Sequence, residues 1–366
     1  MPSPAERAAG TLALALVLWL GLGLVAGCSD DPELALGEER IAPDEAALER
    51  AMTARILEIG RRHEAAGEAI PRFNQPKTVA CARATFEVPP HTGELARGLF
   101  AEPGEYAALL RFANATQQDD RVKDLRGLSV RLAGVEGAEG VDGTRGRQDF
   151  LFNSHPALFA GTPEDFQRFV SAVADDRLWW YFLNPLAPQP KSLWIALRAR
   201  SRPDSPLAIG YYSTTPYRYG DDETSAVKYA VRPCDGEAAN GDGADGDDPD
   251  YLRHAMAAQL AGGEACLTFM VQFQTDPEEM PIEDASVAWD EDASPFRPVA
   301  RLRLPPQEID APDALARCES LVFNPWNTHP AHRPLGGINR MRRDLYQAAG
   351  ELRTTHNATL SVDETP

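Results

Sequence analysis

Positive charge is scarce in this sequence: 36 lysines and arginines stand against 55 aspartates and glutamates, a formal net charge of −19. So acidic a surface repels phosphate backbones and anionic lipid head groups, which disfavours nucleic acid as a partner. Cysteine is sparse too. Five occur in 366 residues with no CxxC pair, which argues against a zinc knuckle. Long apolar runs are limited to residues 11–27, and no internal repeat is present. Histidine numbers seven, with none between His63 and His91. With 43% hydrophobic and 25% charged residues, the chain still has ordinary globular composition, which excludes wholesale disorder. Its length admits two or three domains, or one large barrel with helical additions.

The apolar run TLALALVLWLGLGLVAG follows Arg7, ends in small residues and is succeeded directly by SDDPELALGEER. At 17 residues it fits an export signal better than a spanning helix. The string Leu24-Val25-Ala26-Gly27-Cys28 resembles a bacterial lipobox, in which the cysteine is lipidated and becomes the new amino terminus. Residues 1–27 are therefore read as a lipoprotein signal peptide and Cys28 as the lipidation site. Removing them leaves the charge unchanged, because they hold one acid, Glu6, and one base, Arg7. Ser29 after the cysteine points, in a Gram-negative envelope, to the outer membrane or cell surface. The expectation is an extracytoplasmic protein of the cell envelope, held to the membrane by its lipid anchor only. For Cys81, Cys234, Cys266 and Cys318, three full disulfide pairings and buried free thiols all remain open.

Residues 28–43 are polar and read as a tether. Asp44 is placed to cap a helix reaching about Ala66, within an N-terminal helical segment 44–70 whose Leu48, Met52, Ile56 and Ile59 recur on one face. Eight stretches then combine β-branched or aromatic residues with alternation: 78–88, 105–113, 127–134, 148–153, 208–218, 225–234, 266–275 and 298–304. Eight suits a closed antiparallel barrel, filled by side chains or shaped around one ligand. Thr162 followed by Pro163, Glu164 and Asp165 is a helix start, and a further helix over 337–349 is read as closed by Gly350. Residues 235–250 hold seven acids and no base, without the spacing of a calcium loop; a solvated acidic loop is the reading. The run Trp179-Trp180-Tyr181-Phe182 reads as core or interface packing rather than a substrate wall.

In PLGGINRMRRDLYQAAG, Arg342 and Tyr346 lie four apart, on one helical face. A guanidinium beside a phenol favours the phenolate, lowering a pKa ordinarily about 10, and tyrosinate is a known ligand of heme iron. The spacing alone is common; its neighbours give it weight.

From about Arg72 to Arg353 the chain resembles the catalase-like heme superfamily, notably small members without the large enzymes' carboxy-terminal domain. LLRFANA, DLRGLSVRL, DFLFNSHPALF, YYSTTPYRYG with AVKYAVRP, QTDPEEMPIEDASVAW and SLVFNPWNTHPAHRPLGGINRMRRDLY match in order. The resemblance implies an α+β fold: a catalase-like closed antiparallel eight-stranded β-barrel with surrounding helices, here over 71–353, followed by a tail at 354–366. It implies heme b as cofactor, with Tyr346 as proximal iron ligand and Arg342 as its partner. Arg111 would meet a propionate, Arg72 and Phe159 would also contact the cofactor, and Asn153 would be the distal asparagine. The small size argues against the domain-threaded tetramers of large catalases.

One departure bears on chemistry. In RFNQPK, aligned on Arg72 and Lys77, the position of the superfamily's distal histidine is Gln75. That histidine takes a proton from bound peroxide and returns it to the leaving oxygen, which glutamine cannot do, although an amide can orient a peroxide. His155 is the nearest substitute base, disfavoured by its place on an extended segment; His329 and His332 read as surface or propionate-side contacts. The expected function is oxidoreduction of hydrogen peroxide or organic hydroperoxides, weak as a catalase. The alternative is a heme-binding or heme-storage lipoprotein without turnover. A barrel that binds no heme and serves as an envelope interaction module is disfavoured by the joint presence of Arg111, Asn153, Arg342 and Tyr346.

Overall fold

The structure is a computed structural model that describes residues 34–234 and 247–363. Cys28, the apolar run and most of the acidic stretch lie outside the described residues. Among the described residues nine strands form one antiparallel sheet: β1 (Lys77–Val88), β2 (Gly104–Asn114), β3 (Arg126–Ala133), β4 (Arg147–Asn153), β5 (Tyr211–Tyr212), β6 (Tyr217–Arg218), β7 (Ala226–Pro233), β8 (Ala265–Phe273) and β9 (Arg297–Leu304). β9 returns to β1, and β5 bridges β4 to β7, so the sheet closes on itself. β5 and β6 share one place in the ring, which makes an eight-position barrel.

That shared place corrects the single strand expected over 208–218. Thr214 takes φ 59°, a left-handed conformation costly for a β-branched residue, and Thr215 N–H donates to Ser213 O across it. The turn splits the strand in two.

Alternation sends aromatic rings into the barrel. Phe269 sits among Phe150 at 4.9 Å, Phe86 at 5.3 Å and Tyr229 at 5.3 Å between ring centroids, so side chains fill the interior. His332 joins them, against the expectation of a surface or propionate-side contact. It is fully buried; its Nε2 accepts from Leu99 N–H at 2.8 Å, leaving Nδ1–H to donate to Tyr229 Oη at 2.9 Å. Burial holds its pKa down at about 3, so the ring is neutral. His329 stays half-buried, its Nδ1 accepting from Ala331 N–H.

The helices are α1 (Glu45–Ala65), α2 (Pro163–Ala174), α3 (Leu178–Leu183), α4 (Pro190–Arg198), α5 (Tyr251–Gly262), α6 (Pro312–Ser320) and α7 (Gly337–Asp363). Met52 and Ile56 of α1 pack with Val170 of α2 and with Met341 and Leu345 of α7. α7 corrects the helix end expected at Gly350 and the tail expected over 354–366. It runs straight through that glycine, whose missing side chain is a packing requirement: a Cβ there would lie 2.5 Å from Val322 Cγ1. The tether reading also fails for its described half. Gly37 N–H donates to Gln274 Oε1 at 2.8 Å, and Arg340 of α7 gathers Glu39, Glu45 and Glu283, which pins residues 34–45 to the body.

Of the three open cysteine pairings the structure takes Cys81 with Cys318 and Cys234 with Cys266, at Cα separations of 6.2 and 5.5 Å. The second ties β7 to its neighbour β8. The first ties α6 to the outside of β1, and it matters for the site.

Candidate functional site

Cys81, Arg111, Ser129 and Leu151 are successive cross-strand partners on β1 to β4. Their chain neighbours, among them Leu110, Phe112, Leu128, Val130, Phe150 and Phe152, belong to the barrel core. With period two, the row therefore faces out. Arg111, Ser129 and Leu151 floor a cleft of about 1120 Å³, counting space continuous with solvent. α7 supplies Arg342, Leu345, Tyr346 and Arg353 to its wall, α1 supplies Ile59 and His63, and residues 70–75 form its rim.

Three guanidiniums crowd one end. Arg111 and Arg353 are buried and Arg72 nearly so. They share a single half-exposed carboxylate, Glu319: Arg72 Nε lies 3.4 Å from it and Arg111 Nη2 lies 3.9 Å away. Their hydrogen bonds go to neutral groups. Arg111 donates to Thr78 Oγ1 and Gln75 O, both at 2.8 Å; Arg72 donates to the carbonyls of Cys318 and Glu319; Arg353 donates to those of Glu319 and Leu321. Desolvation, aggravated by Arg72, pushes Arg111 down to about 9 and Arg353 down to about 10. Arg72 is lowered by the same burial, and its Nε has no hydrogen-bond partner. The Cys81–Cys318 link holds α6, and hence Glu319, over this end.

At the centre, Gln75 takes φ 57° and turns its buried side chain onto β3 and β4. Its Nε2 donates to Asn153 Oδ1 at 2.8 Å. The close approach depends on Gly127, where a Cβ would fall 1.8 Å from Gln75 Oε1. Across the cleft, Asn74 Nδ2 donates to Tyr346 Oη at 3.3 Å. The Arg342 guanidinium stands 6.0 Å from the Tyr346 ring centroid, oriented by Thr215 Oγ1 and Asn339 Oδ1, each at 3.2 Å.

Among solved structures, three catalases resemble this arrangement of strands and helices. Catalase A from Saccharomyces cerevisiae gives a TM-score of 0.63 at 19% identity, covering 80% of this chain and 63% of that one. A fungal catalase gives 0.62 at 18% identity, covering 80% of this chain and 61% of that one. A bacterial catalase gives 0.59 at 16% identity, covering 89% of this chain and 64% of that one. The fold is that of the catalases. This chain spans less than two thirds of their length, and no family model or curated protein matches its sequence.

On the catalase fold, six of the site residues expected from sequence meet at the cleft: Arg72, Gln75, Arg111, Asn153, Arg342 and Tyr346. Phe159 does not line it. Its ring packs 4.7 Å from Phe169 and near Tyr181, under α2, because the chain turns away from the barrel after β4. His155 is not there either; Nδ1 closes a local turn with the backbone of Ala157. Sequence reasoning missed Arg353, Asn74 and His63. Arg353 had a signal, since it lies seven residues beyond Tyr346 and two helical turns keep one face. His63 lines the α1 side of the cleft, its Nδ1 3.2 Å from Glu68 Oε2.

Proposed function

We propose that the cleft would hold heme b with the Tyr346 phenol oxygen as the iron's protein ligand, and that the protein turns over hydroperoxides slowly at the cell envelope, anchored through a lipid on Cys28. The observation that carries the reading is the arginine cluster. Three desolvated guanidiniums share one half-exposed carboxylate, an arrangement costly for an empty cleft and suited to a ligand with two carboxylates. The residues fit heme elsewhere as well: Leu345, Leu151 and Ile59 offer apolar walls, and Tyr346 lines the same cleft as the amide pair. When bound, the heme iron supplies the redox chemistry at the O–O bond.

The chain's own groups set the limits of that chemistry. Arg342 puts positive charge over the Tyr346 ring. Gln75 and Asn153 are locked to one another, so they orient a small polar ligand through amide groups and offer no group that titrates near neutral pH. With no proton shuttle at this position, slow turnover of hydrogen peroxide is the reading favoured. The same locked pair favours a second reading, heme storage without turnover.

Hemin titration tests the binding. A phenolate ligand gives a high-spin ferric Soret band, and Tyr346→Phe should remove the iron–oxygen bond and shift that band at nearly constant side-chain volume; an unchanged band would show that another residue holds the iron. Turnover separates enzyme from store. Gln75→His should raise hydrogen peroxide turnover at least about tenfold, a discount on the usual worth of a general acid–base group. Heme retention without turnover in either protein, on hydrogen peroxide or cumene hydroperoxide, would leave storage.

A further inference from the structure

Helices α3 and α4 leave large apolar side chains in solvent. Trp179, Trp180 and Leu183 on α3, Leu186 in the connection, and Trp194 and Leu197 on α4 are between 42% and 92% exposed. Tyr181 and Ile195, on the same two helices, are buried. Tyr181 packs 5.6 Å from Phe169 and 6.3 Å from Phe159, so α3 is seated by one side and shows the other. A patch of this kind, rather than scattered single residues, marks a surface that something covers.

Charge says what covers it. Residues 177–203 contain Arg177, Lys191, Arg198, Arg200 and Arg202 and no acid, in a chain of 55 acids. All five are exposed. Lys191 has Asp284 at 3.7 Å, the Arg198 guanidinium lies 5.2 Å from the Trp194 ring centroid, and Arg200 donates to a backbone carbonyl. Asp175, Asp176 and Asp204 border the segment from outside it. A second copy of the chain is a poor match, because a twofold contact would set one cationic segment against another. Tryptophan and leucine beside exposed lysine and arginine match instead the boundary between headgroups and acyl chains of an anionic bilayer, where indole rings settle and basic side chains meet phosphate.

We propose that the α3–α4 face docks on an anionic lipid bilayer, with the three tryptophans and the leucines entering the acyl boundary and the basic residues on the headgroups. The proposal rests neither on the heme reading nor on lipidation of Cys28.

The test uses the full chain carrying Trp19→Phe, which removes the indole of the amino-terminal apolar run from the signal. Three of the five remaining tryptophans then lie on the face. With vesicles of phosphatidylcholine and phosphatidylglycerol brominated on their acyl chains, tryptophan emission should fall to about half. Leu183→Asp with Leu186→Asp and Leu197→Asp keeps the reporters and should restore most of the emission. Lys191→Glu with Arg198→Glu should also restore it, through charge alone. These positions are exposed, and an unchanged denaturant midpoint checks that the fold survives. Absence of quenching, or equal quenching in all three proteins, would overturn the proposal. A self-associated species dissociated by the leucine variants, with no quenching, would assign the face to a second copy instead.

Discussion

The two faces of the same barrel wall are built to opposite rules. Inside, Leu110, Phe112, Phe150, Phe152 and Phe269 close-pack, and the one imidazole among them is satisfied on both nitrogens and kept neutral. Outside, one residue further along the same strands, Arg111 is desolvated without a close counter-ion, and Gln75, on the rim, sits in a left-handed conformation. The inner face is a close-packed core of apolar and aromatic side chains. The outer face holds groups that cost stability unless a ligand compensates them, as sites for ligands commonly do. Because the period is two, both sets of demands fit on one strand without competing.

That contrast is open to test. The largest effect is expected inside: Phe269→Ala should lower the unfolding free energy by about 3–5 kcal/mol, read from denaturant melts, since the ring touches Phe86, Phe100, Phe150, Phe152 and Tyr229. A loss below about 1 kcal/mol would mean that the interior repacks and is not the rigid part of the comparison.

Next comes a buried cation on the wall away from the cleft. Lys228 Nζ donates to Val287 O at 2.8 Å, and burial lowers its pKa from 10.5 to about 7, with Asp284 offsetting only part. Below the folded value both states are protonated and the penalty is complete. Between about 7 and 10.5 the folded protein has released a proton that the unfolded chain still binds, so stability rises with pH. Measured against Lys228→Met, wild type should gain up to about 4 kcal/mol between pH 6 and pH 10. Parallel curves for the two proteins would place the charge elsewhere.

The smallest effect has the opposite sign to the first. Arg111→Met removes a surplus desolvated charge and should stabilise the ligand-free protein by about 1 kcal/mol, while weakening hemin retention at least about tenfold. Destabilisation without loss of hemin would show that the guanidinium serves the fold, through Thr78 and Gln75, rather than a ligand.

Much of this was legible in the sequence. Seven of the eight expected stretches became single strands at nearly the expected bounds, because alternation against one core is a local signal. Arg342 and Tyr346 could be paired from helical spacing, and the ordered motifs brought Arg72, Gln75, Arg111 and Asn153 to one cleft. Phe159 and His332 were misplaced for one reason. Phe159 lies in a bend and His332 ends a three-residue 3-10 turn, where no period says which way a side chain points, and packing against α2 or into the barrel decided it.

What the sequence by itself determined is periodicity and chemical inventory: which residues alternate, which helical positions share a face, and that glutamine stands where an imidazole was expected. What only the tertiary structure decided depends on parts distant along the chain. Cys81 finds Cys318 across 237 residues and carries Glu319 onto the arginines. Gly350 gives way to Val322 instead of ending a helix, and Glu39 leaves the expected tether for Arg340. Local pattern fixes backbone propensity within a few residues, whereas pairing, burial and the cost of a buried charge are set by neighbours that sequence distance does not reveal.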